Sequence, residues 1–307
     1  MKFYFATDIH LSSVIPGARI DNYTETVFSK IEYLLEQCSK DKAVLLLGGD
    51  LFMTPTQPDW IKNRLKDLIL KYSVRVISIV GNHDLVHYNV DYIERTSFQT
   101  LVSPGIIDFL HPLSNSYIQI DDWKIVGHAF AQNFPVDGGV IDSKTIVLSH
   151  CFYDYSKEDK LSVHRQEVYR SGAKFICFGH DHNQYPVEDN NGTLVVRPGA
   201  LTRGTSHTEN RVRQVGYAII DTDTLQVTYA SIPFAMGFKE VFREKYDVER
   251  VREPITFAEI QSFIDELRNA KLDVNPYNIL LNLNKREVIV RKCTNYLEAV
   301  GLINEGA

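Results

Sequence analysis

The 307-residue sequence predicts a mixed α/β sandwich, and two patterns support that prediction. Short runs rich in β-branched and aromatic residues indicate buried strands, and stretches with helical spacing of apolar residues separate the early ones. Strand and helix alternate through the first third of the chain, which favours a largely parallel sheet covered by helices. From about Asn191 the pattern becomes hairpin-like, with turn signals at Asn191-Gly192 and at residues 221–224.

The individual elements follow from these patterns. The predicted strands span residues 2–7, 43–47, 75–80, 124–126, 145–148, 174–178, 193–196, 215–221 and 226–230. The first predicted helix covers residues 23–39, where Val27, Ile31 and other apolar residues recur at helical spacing. Pro58 opens the second helix, because proline is preorganised for a first helical turn, and Leu65 lies on its apolar face.

A change in composition near residues 238–254 predicts a domain boundary, because this segment is dense in charge and ends in proline. We therefore divide the chain into a catalytic domain, residues 1–238, and a small α/β cap or accessory domain, residues 239–307. In the second domain the sequence predicts a helix after a capping box at Thr256 and Glu259, strands at 278–283 and 287–291, and a last helix at 294–300.

The bulk composition limits where the protein acts and what it binds. A net charge of −6 argues against a strongly cationic nucleic-acid coat protein, although it leaves room for a local basic groove. The N-terminal residues do not form a signal peptide, and no apolar run approaches the roughly 20 residues that span a bilayer. Four scattered cysteines, without a Cys-x-x-Cys pair, indicate reduced and mostly buried thiols. We therefore expect a soluble cytoplasmic protein, in a bacterium or a phage-infected host cell, with no membrane partner.

Polar motifs follow five of the predicted strands. They are Asp8-Ile9-His10, Gly49-Asp50, Gly81-Asn82-His83-Asp84, Ser149-His150 and Gly179-His180-Asp181-His182. In open α/β sheets, ligands collect at the carboxyl ends of the strands, so these side chains are expected to meet. Each motif alone could be a turn, a loop or a helix cap. The whole set, in this order and at these positions, favours a functional site.

The donors in these motifs are too many for one tetrahedral zinc ion. They are Asp8, His10, Asp50, Asn82, His150, His180 and His182. Such a set suits two metal ions about 3.5–4 Å apart that share a carboxylate. Mixed imidazole and oxygen ligands fit Mn, Fe or Zn better than Mg or Ca. We expect two divalent ions, with Mn, Fe and Zn as the candidates and Mg as a further alternative.

These motifs, over about residues 1–233, resemble those of the calcineurin-like metallophosphoesterase superfamily. The resemblance implies a two-sheet metallophosphoesterase sandwich flanked by helices, with a small C-terminal α/β cap. It also implies a first metal ion held by Asp8, His10, Asp50 and His182 and a second held by Asp50, Asn82, His150 and His180, with Asp50 shared between the ions.

The same resemblance implies catalytic roles for two residues beside the implied ligands. His83 resembles the superfamily's non-ligand histidine, which faces the phosphate and helps to stabilise or protonate the leaving oxygen. Asp84 is expected to orient His83 or its loop, with a purely structural role as the alternative. No Asp-Arg-Gly follows Gly49-Asp50, so the sequence departs from the phosphoprotein-phosphatase branch.

Within the superfamily, the sequence most resembles the nuclease subunit of SbcCD-type DNA-repair complexes, including tailed-phage versions. The motifs that carry this resemblance are Asp8-Ile9-His10-Leu11, Gly49-Asp50-Leu51-Phe52, and the segment from Arg197 to Arg203, where Ala200 replaces the branch's serine. The resemblance implies a manganese-dependent exonuclease or endonuclease of DNA recombination or repair. It implies DNA, an SbcC-type coiled-coil ATPase and a second copy of the chain as partners. The branch usually continues into helices that dock on the ATPase, whereas this sequence stops at Ala307.

Two other functions stay open at this point. One is a small-molecule phosphodiesterase or phosphomonoesterase with the same metal site, and the other is a non-catalytic scaffold. Arg203 and His128 are candidate substrate contacts, with a core or surface role as the alternative for His128. Basic residues also cluster around Arg165, Arg211 and Lys285. Aromatic residues near the motifs, Phe152 among them, are expected to pack rather than to stack on bases.

Overall fold

The computed structural model describes residues 1–111, 117–130, 134, 140–154, 162–205 and 209–243. These residues form two six-stranded sheets with helices beside them, which confirms the predicted α/β fold class. Apart from residues 239–243, the predicted second domain lies outside the described residues, so its elements and the boundary at residue 238 stay predictions. No described helix is long and apolar enough to cross a membrane.

The first sheet has the strand order β14-β13-β1-β2-β3-β4. Its strands are β1 (Lys2–Ala6), β2 (Val44–Leu47), β3 (Val76–Ser78), β4 (Asp108–Phe109), β13 (Gly216–Asp221) and β14 (Gln226–Ser231). The strands β1 to β4 run parallel to one another, and β13 joins β1 in antiparallel orientation. The carboxyl ends of β1, β2 and β3 therefore lie along the same edge of the sheet.

The second sheet has the order β11-β12-β10-β7-β6-β5. Its strands are β5 (Tyr117–Ile120), β6 (Trp123–His128), β7 (Thr145–His150), β10 (Phe175–Gly179), β11 (Glu188–Asn190) and β12 (Thr193–Val196). The strands β6, β7, β10 and β12 are parallel, and β5 and β11 are antiparallel edge strands. Two short strands, β8 (Phe152–Tyr153) and β9 (Ser162–Val163), pair separately.

Six α-helices are described, together with three short 3₁₀ turns. The helices are α1 (Tyr23–Asp41), α2 (Asp59–Tyr72), α3 (Gln99–Val102), α4 (Arg165–Ser171), α5 (Glu209–Val212) and α6 (Phe238–Val241), and the turns are Asn82–Asp84, Val86–Tyr88 and Val90–Arg95. The amide oxygen of Asn22 caps α1 by accepting a hydrogen bond from the Glu25 backbone N–H. Pro58 lies one position before α2, close to where the sequence placed its start.

Strand β1 shows how the core forms, because its side chains alternate between two apolar environments. Phe3 and Phe5 are fully buried with residues of β7 and β10, so they pack between the sheets. Tyr4 and Ala6 are buried on the opposite face, among apolar residues of α1. A strand that is buried on both faces has a continuous apolar sequence, which is why β1 could be predicted from the sequence. A third cluster, which includes Val168 of α4, covers the outer face of the second sheet.

Candidate metal centre

The five polar motifs lie at the carboxyl ends of β1, β2, β3, β7 and β10, as the sequence predicted. Backbone hydrogen bonds join the first two motifs: Asp8 N–H donates to the Gly49 carbonyl at 3.2 Å, and His10 N–H donates to the Asp50 carbonyl at 2.9 Å. The backbone N–H of His180 donates to the Asp8 carboxylate at 3.1 Å, although the two residues are 172 positions apart. The fold thus brings both sheets to one site.

Four of the predicted ligands have backbone in the left-handed region. The φ angles are 52° for Asp8, 50° for His10, 51° for Asp50 and 77° for His180. Such conformations are uncommon for residues other than glycine, and each costs on the order of 1–3 kcal/mol. They persist where surrounding contacts fix the chain, and they cluster at functional sites. The strand ends are therefore held in a conformation that aims their side chains inward at the expense of local stability.

The first cluster contains Asp8, His10 and His182, whose ligand atoms lie within 4.8 Å of one another. The Nε2 atoms of His10 and His182 are 3.1 Å apart, and His182 Nε2 is 3.4 Å from Asp8 Oδ1. Thr7 donates its hydroxyl to the other oxygen of Asp8 at 2.7 Å. Asp8 and His10 are buried, whereas about a third of the His182 side chain is exposed.

The second cluster contains Asp50, His150 and His180, also within 4.8 Å of one another. His150 Nδ1 donates to the Gly48 carbonyl at 2.7 Å, so its Nε2 is left as the atom that can bind a metal. That Nε2 is 3.3 Å from Asp50 Oδ2 and 3.2 Å from the Asn82 side-chain oxygen. The structure therefore brings Asn82 to this cluster as well.

Asp50 lies between the two clusters. Its Oδ2 atom is 3.8 Å from His10 Nε2 and 3.3 Å from His150 Nε2. Its other oxygen accepts a hydrogen bond from the His83 backbone N–H at 2.8 Å, which fixes the carboxylate plane. This is the position that a carboxylate shared by two ions requires.

Burial favours the neutral, metal-binding form of two of the four imidazoles. Burial lowers the pKa of His10 to about 3, and burial together with the charge of His150 lowers the pKa of His180 to about 4. Burial alone would raise the pKa of Asp8, but hydrogen bonding and the charge of His182 outweigh it and hold that pKa below its usual range. At neutral pH His10 and His180 are therefore neutral and Asp8 is ionised, and these are the forms that bind divalent metals. At His150 burial is outweighed by the charge of Asp50, which raises the pKa to about 9, so a metal ion that binds His150 would displace a proton.

The residues present fit a pair of divalent metal ions. The Nε2 atoms of His10 and His182 face each other at 3.1 Å, beside the carboxylates of Asp50 and Asp8. Buried polar groups normally find partners, so this arrangement is explained best by cations between the side chains. The donors are nitrogen and oxygen only, which suits Mn, Fe or Zn.

His83 lies beside both clusters and is partly exposed. Its Nδ1 donates to the Met53 carbonyl at 3.0 Å, so Nε2 is the nitrogen left for a substrate or an ion. Its ring meets that of His10 edge-on at 4.9 Å, and a nitrogen of His83 lies within 4.8 Å of ligand atoms of His10 and Asp50. The geometry is compatible with the predicted non-ligand role, because the ring lies beside the clusters and is reached by solvent.

Asp84 is fully buried and ties together the loops that carry Asp50 and His83. Its carboxylate accepts backbone N–H bonds from Leu51 at 3.2 Å, Phe52 at 2.9 Å and Gly81 at 3.0 Å. Burial and the charge of Asp50 raise the pKa of Asp84 to about 7. These contacts support the expectation that Asp84 orients the loop of His83, and they give it a positioning role.

Two positions at the site require glycine because there is no space for a side chain. A Cβ on Gly81 would lie 2.1 Å from Asp50 Oδ1, and one on Gly179 would lie 2.1 Å from Thr7 Oγ1 and 2.5 Å from the Gly48 carbonyl. Real Cβ atoms do not approach other atoms so closely. The glycines in these motifs therefore let the strand ends approach one another.

The structure weakens the two predicted substrate contacts. The buried guanidinium of Arg203 donates to the carbonyls of Asn210, Met236 and Arg213, so its donors hold the chain rather than face solvent. His128 is 2% exposed, and its Nδ1 lies 2.7 Å from Ser149 Oγ, which favours the core role weighed for it.

Sequence reasoning missed two residues near the clusters. The hydroxyl of buried Tyr23 donates to the His10 carbonyl at 2.8 Å, and the ring of Phe130 lies 5.5 Å from that of His180. Tyr23 was assigned to the start of a helix only, and Phe130 belongs to none of the motifs. The three described cysteines, Cys38, Cys151 and Cys177, are buried free thiols as predicted, and Cys293 lies outside the described residues.

A two-sheet α/β sandwich with paired Asp and His clusters at its strand ends defines a class of metal-dependent hydrolases. Residues 1–184 match the sequence model of the calcineurin-like phosphoesterases, and the chain belongs to that family. It is a metallophosphoesterase-type phosphoester hydrolase, and the family binds two divalent metal ions.

Solved structures also resemble the chain. The protein TT1561 of Thermus thermophilus is 8% identical, with a TM-score of 0.47 over 75% of this chain and 98% of that one. A 5'-nucleotidase precursor from the same organism is 14% identical, with a TM-score of 0.42 over 76% of this chain and 54% of that one. No curated protein sequence matches the chain.

Proposed function

We propose that this phosphoesterase is a DNA nuclease of recombination or repair that hydrolyses phosphodiesters with two divalent ions, Mn²⁺ first among them. Asp8, His10, Asp50 and His182 would hold one ion, and Asn82, His150 and His180 would hold the other together with Asp50. DNA is the proposed substrate, and an SbcC-type coiled-coil ATPase and a second copy of the chain are the proposed partners.

One observation supports the nuclease assignment: the three segments that resemble the SbcCD-type branch meet at the metal centre. Leu11 N–H donates to the Leu51 carbonyl at 2.9 Å, which joins the first segment to the second. Leu201 N–H donates to the Thr7 carbonyl at 3.0 Å, and Ala200 N–H donates to the His182 carbonyl at 3.2 Å. The third segment is thereby fixed against the segments that follow β1 and β10, two of the strands whose ends carry proposed ligands.

The chain's own residues have distinct tasks in the proposed reaction. His83 donates Nδ1–H to a fixed carbonyl, so its Nε2 can carry a proton to the leaving oxygen. Asp84 holds the two loops together through their backbone N–H groups, which keeps His83 in place. When bound, the two ions supply Lewis-acid chemistry, which activates water and offsets the charge of the phosphate.

The test compares wild type with His83→Ala on labelled single- and double-stranded DNA and on bis-p-nitrophenyl phosphate, a generic diester, in Mn²⁺. We expect cleavage of DNA by wild type and a loss of about 100- to 10,000-fold in the variant, the range typical of general acid catalysis. Mn²⁺ binding, measured by calorimetry, should persist in the variant because His83 is not among the proposed ligands. Diester hydrolysis without any DNA cleavage would refute the nuclease assignment.

A small-molecule phosphoesterase is the second candidate, and the state of the basic residues favours it. Arg165 pairs with Glu188 at 3.0 Å, and Arg203 and Arg213 are buried and donate to backbone carbonyls. These arginines are therefore engaged within the protein rather than arranged as a phosphate-binding groove. The diester and DNA arms of the same experiment separate the two candidates.

A further inference from the structure

Aromatic rings form a connected surface beside the second cluster. The ring of Phe152 lies 4.4 Å from that of His180, and the ring of Phe130 lies 5.5 Å from His180 and 6.5 Å from His150. Tyr88 continues the row outward, with its ring 6.2 Å from that of Phe130. We call Tyr88, Phe130 and Phe152 the aromatic platform. It leads from solvent to an imidazole of the metal centre.

These three rings are more exposed to solvent than the aromatic rings that pack in the core. Tyr88 is 59% exposed, and Phe130 and Phe152 are half-buried, whereas the phenylalanines of the core are fully buried. Among the described residues, the buried apolar clusters include none of the three. A row of partly exposed rings next to a polar site is typical of a surface that contacts a ligand with both apolar and charged parts.

The backbone under Tyr88 is strained. His87 and Tyr88 have φ angles of 53° and 57°, in the left-handed region that bulky side chains rarely adopt. The turn that holds them, Val86–Tyr88, begins two residues after the end of the turn that carries His83. Strain of this kind persists at ligand-contacting segments, where the surrounding structure fixes the side chain in a useful position.

We propose that the aromatic platform stacks an unpaired nucleobase of the strand whose phosphate lies in the metal centre. This inference rests on the proposed function and adds a substrate preference to it. A nucleotide joins a charged phosphate to a flat base through one sugar, and the site offers a charged centre and flat rings in the same order. Stacking on aromatic side chains accepts any base, so it carries no sequence preference.

A base inside a duplex cannot stack on the platform, because neighbouring bases cover both of its faces. The platform therefore predicts that single strands, frayed ends and mispaired ends are cut in preference to internal positions of intact duplex. Removing an aromatic ring on which a base stacks typically weakens the binding of the nucleic acid by about 5- to 100-fold.

The first test measures binding without turnover. The fluorescence of 2-aminopurine deoxyriboside 5'-monophosphate is titrated with the full chain in Mn²⁺, because stacking quenches this base. We expect quenching by wild type and by Phe130→Tyr, which keeps an aromatic ring. Phe130→Leu and Tyr88→Leu should bind the probe about 5- to 100-fold more weakly. Tyr117→Leu, which changes an exposed ring on β5, is the matched control, and thermal melts establish that each variant is folded.

The second test uses cleavage. Wild type and Phe130→Leu act on a single-stranded oligonucleotide and on the same strand with one abasic position. We expect wild type to cut poorly next to the abasic position and the variant to treat both strands alike. Quenching absent in wild type, or equal in the Leu variants, would overturn the platform. Quenching with no cleavage of any DNA would instead overturn the nuclease function and assign the platform to a free nucleotide.

Discussion

Adding one methyl group at Gly81 tests how tightly the second cluster is built. The new Cβ would lie 2.1 Å from Asp50 Oδ1, and 2.6 Å from both the Asp50 backbone nitrogen and His150 Nε2. To reach 3.0 Å, the lower limit of real contacts, the Asp50 oxygen must retreat by 0.9 Å, the difference between 3.0 and 2.1 Å. The backbone at Gly81, with φ −100° and ψ −177°, is open to alanine. Any loss therefore comes from displacement of His150 and of Asp50, including the Asp50 backbone, and not from strain at residue 81 itself.

The size of this displacement determines the expected loss of activity and of stability. A shift of about 1 Å in a catalytic group can cost about 100-fold in rate, and overpacking a tight site costs about 1–3 kcal/mol of stability. We expect Gly81→Ala to lower kcat/KM for bis-p-nitrophenyl phosphate about 100-fold and to weaken Mn²⁺ binding. Steady-state kinetics and titration calorimetry measure the two effects.

The matched control for this change is Gly17→Ala. A Cβ on Gly17 meets nothing within 4 Å, and its φ is not in the left-handed region. It should therefore keep wild-type kinetics and metal affinity. Wild-type Mn²⁺ affinity and rate in folded Gly81→Ala would refute the close packing of Asp50 and His150 around this glycine.

Three further changes test other parts of the structure. Burial lowers the pKa of Lys30 to about 7, below the unfolded value of 10.5, so the folded chain binds fewer protons between these values and stability rises with pH there. Lys30→Met removes that dependence, so between pH 7 and 9.5 wild type should gain about 3 kcal/mol relative to the variant in urea unfolding. Asp84→Ala leaves three buried N–H groups without their acceptor and should lower the free energy of unfolding by roughly 3 kcal/mol and reduce activity. Phe5→Ala should cost about 3–5 kcal/mol in thermal or urea unfolding, because it empties space between the sheets.

Each of these three predictions has an outcome that would contradict it. Lys40→Met, at an exposed position, is the control for Lys30→Met, and equal pH profiles for the two variants would show that Lys30 is not buried as a neutral amine. An Asp84→Ala variant with unchanged stability would mean that the loops hold together without that carboxylate. A cost below about 1 kcal/mol for Phe5→Ala would place this ring outside a close-packed core.

The long buried strands and the first helix could be predicted because their patterns are strong and local. The apolar positions of α1 repeat over 19 residues, and β1 and β2 are continuous apolar runs. The missed strands are short or lie at edges: β4, β8 and β9 have two residues each, β11 has three, and β5 is an edge strand of four residues. So few residues carry no detectable periodicity, and their pairing depends on neighbours far away in the chain.

The proposed ligands could be found because polar residues directly after buried strands are unusual in sequence. Their mutual geometry could not, because it depends on contacts between distant residues such as His10 and His182, 172 positions apart. The sequence also offered no sign that Arg203 is buried against carbonyls. Phe130 was missed for the same reason, since only the fold brings its ring to His180.

The central claim is that two metal ions share Asp50 at the strand ends. Anomalous X-ray diffraction from crystals of the full chain grown with Mn²⁺ tests it most directly. The account predicts two manganese peaks about 3.5–4 Å apart, one beside His10 and His182 and the other beside His150 and His180, with the Asp50 carboxylate between them. A single peak, or peaks away from these side chains, would contradict it.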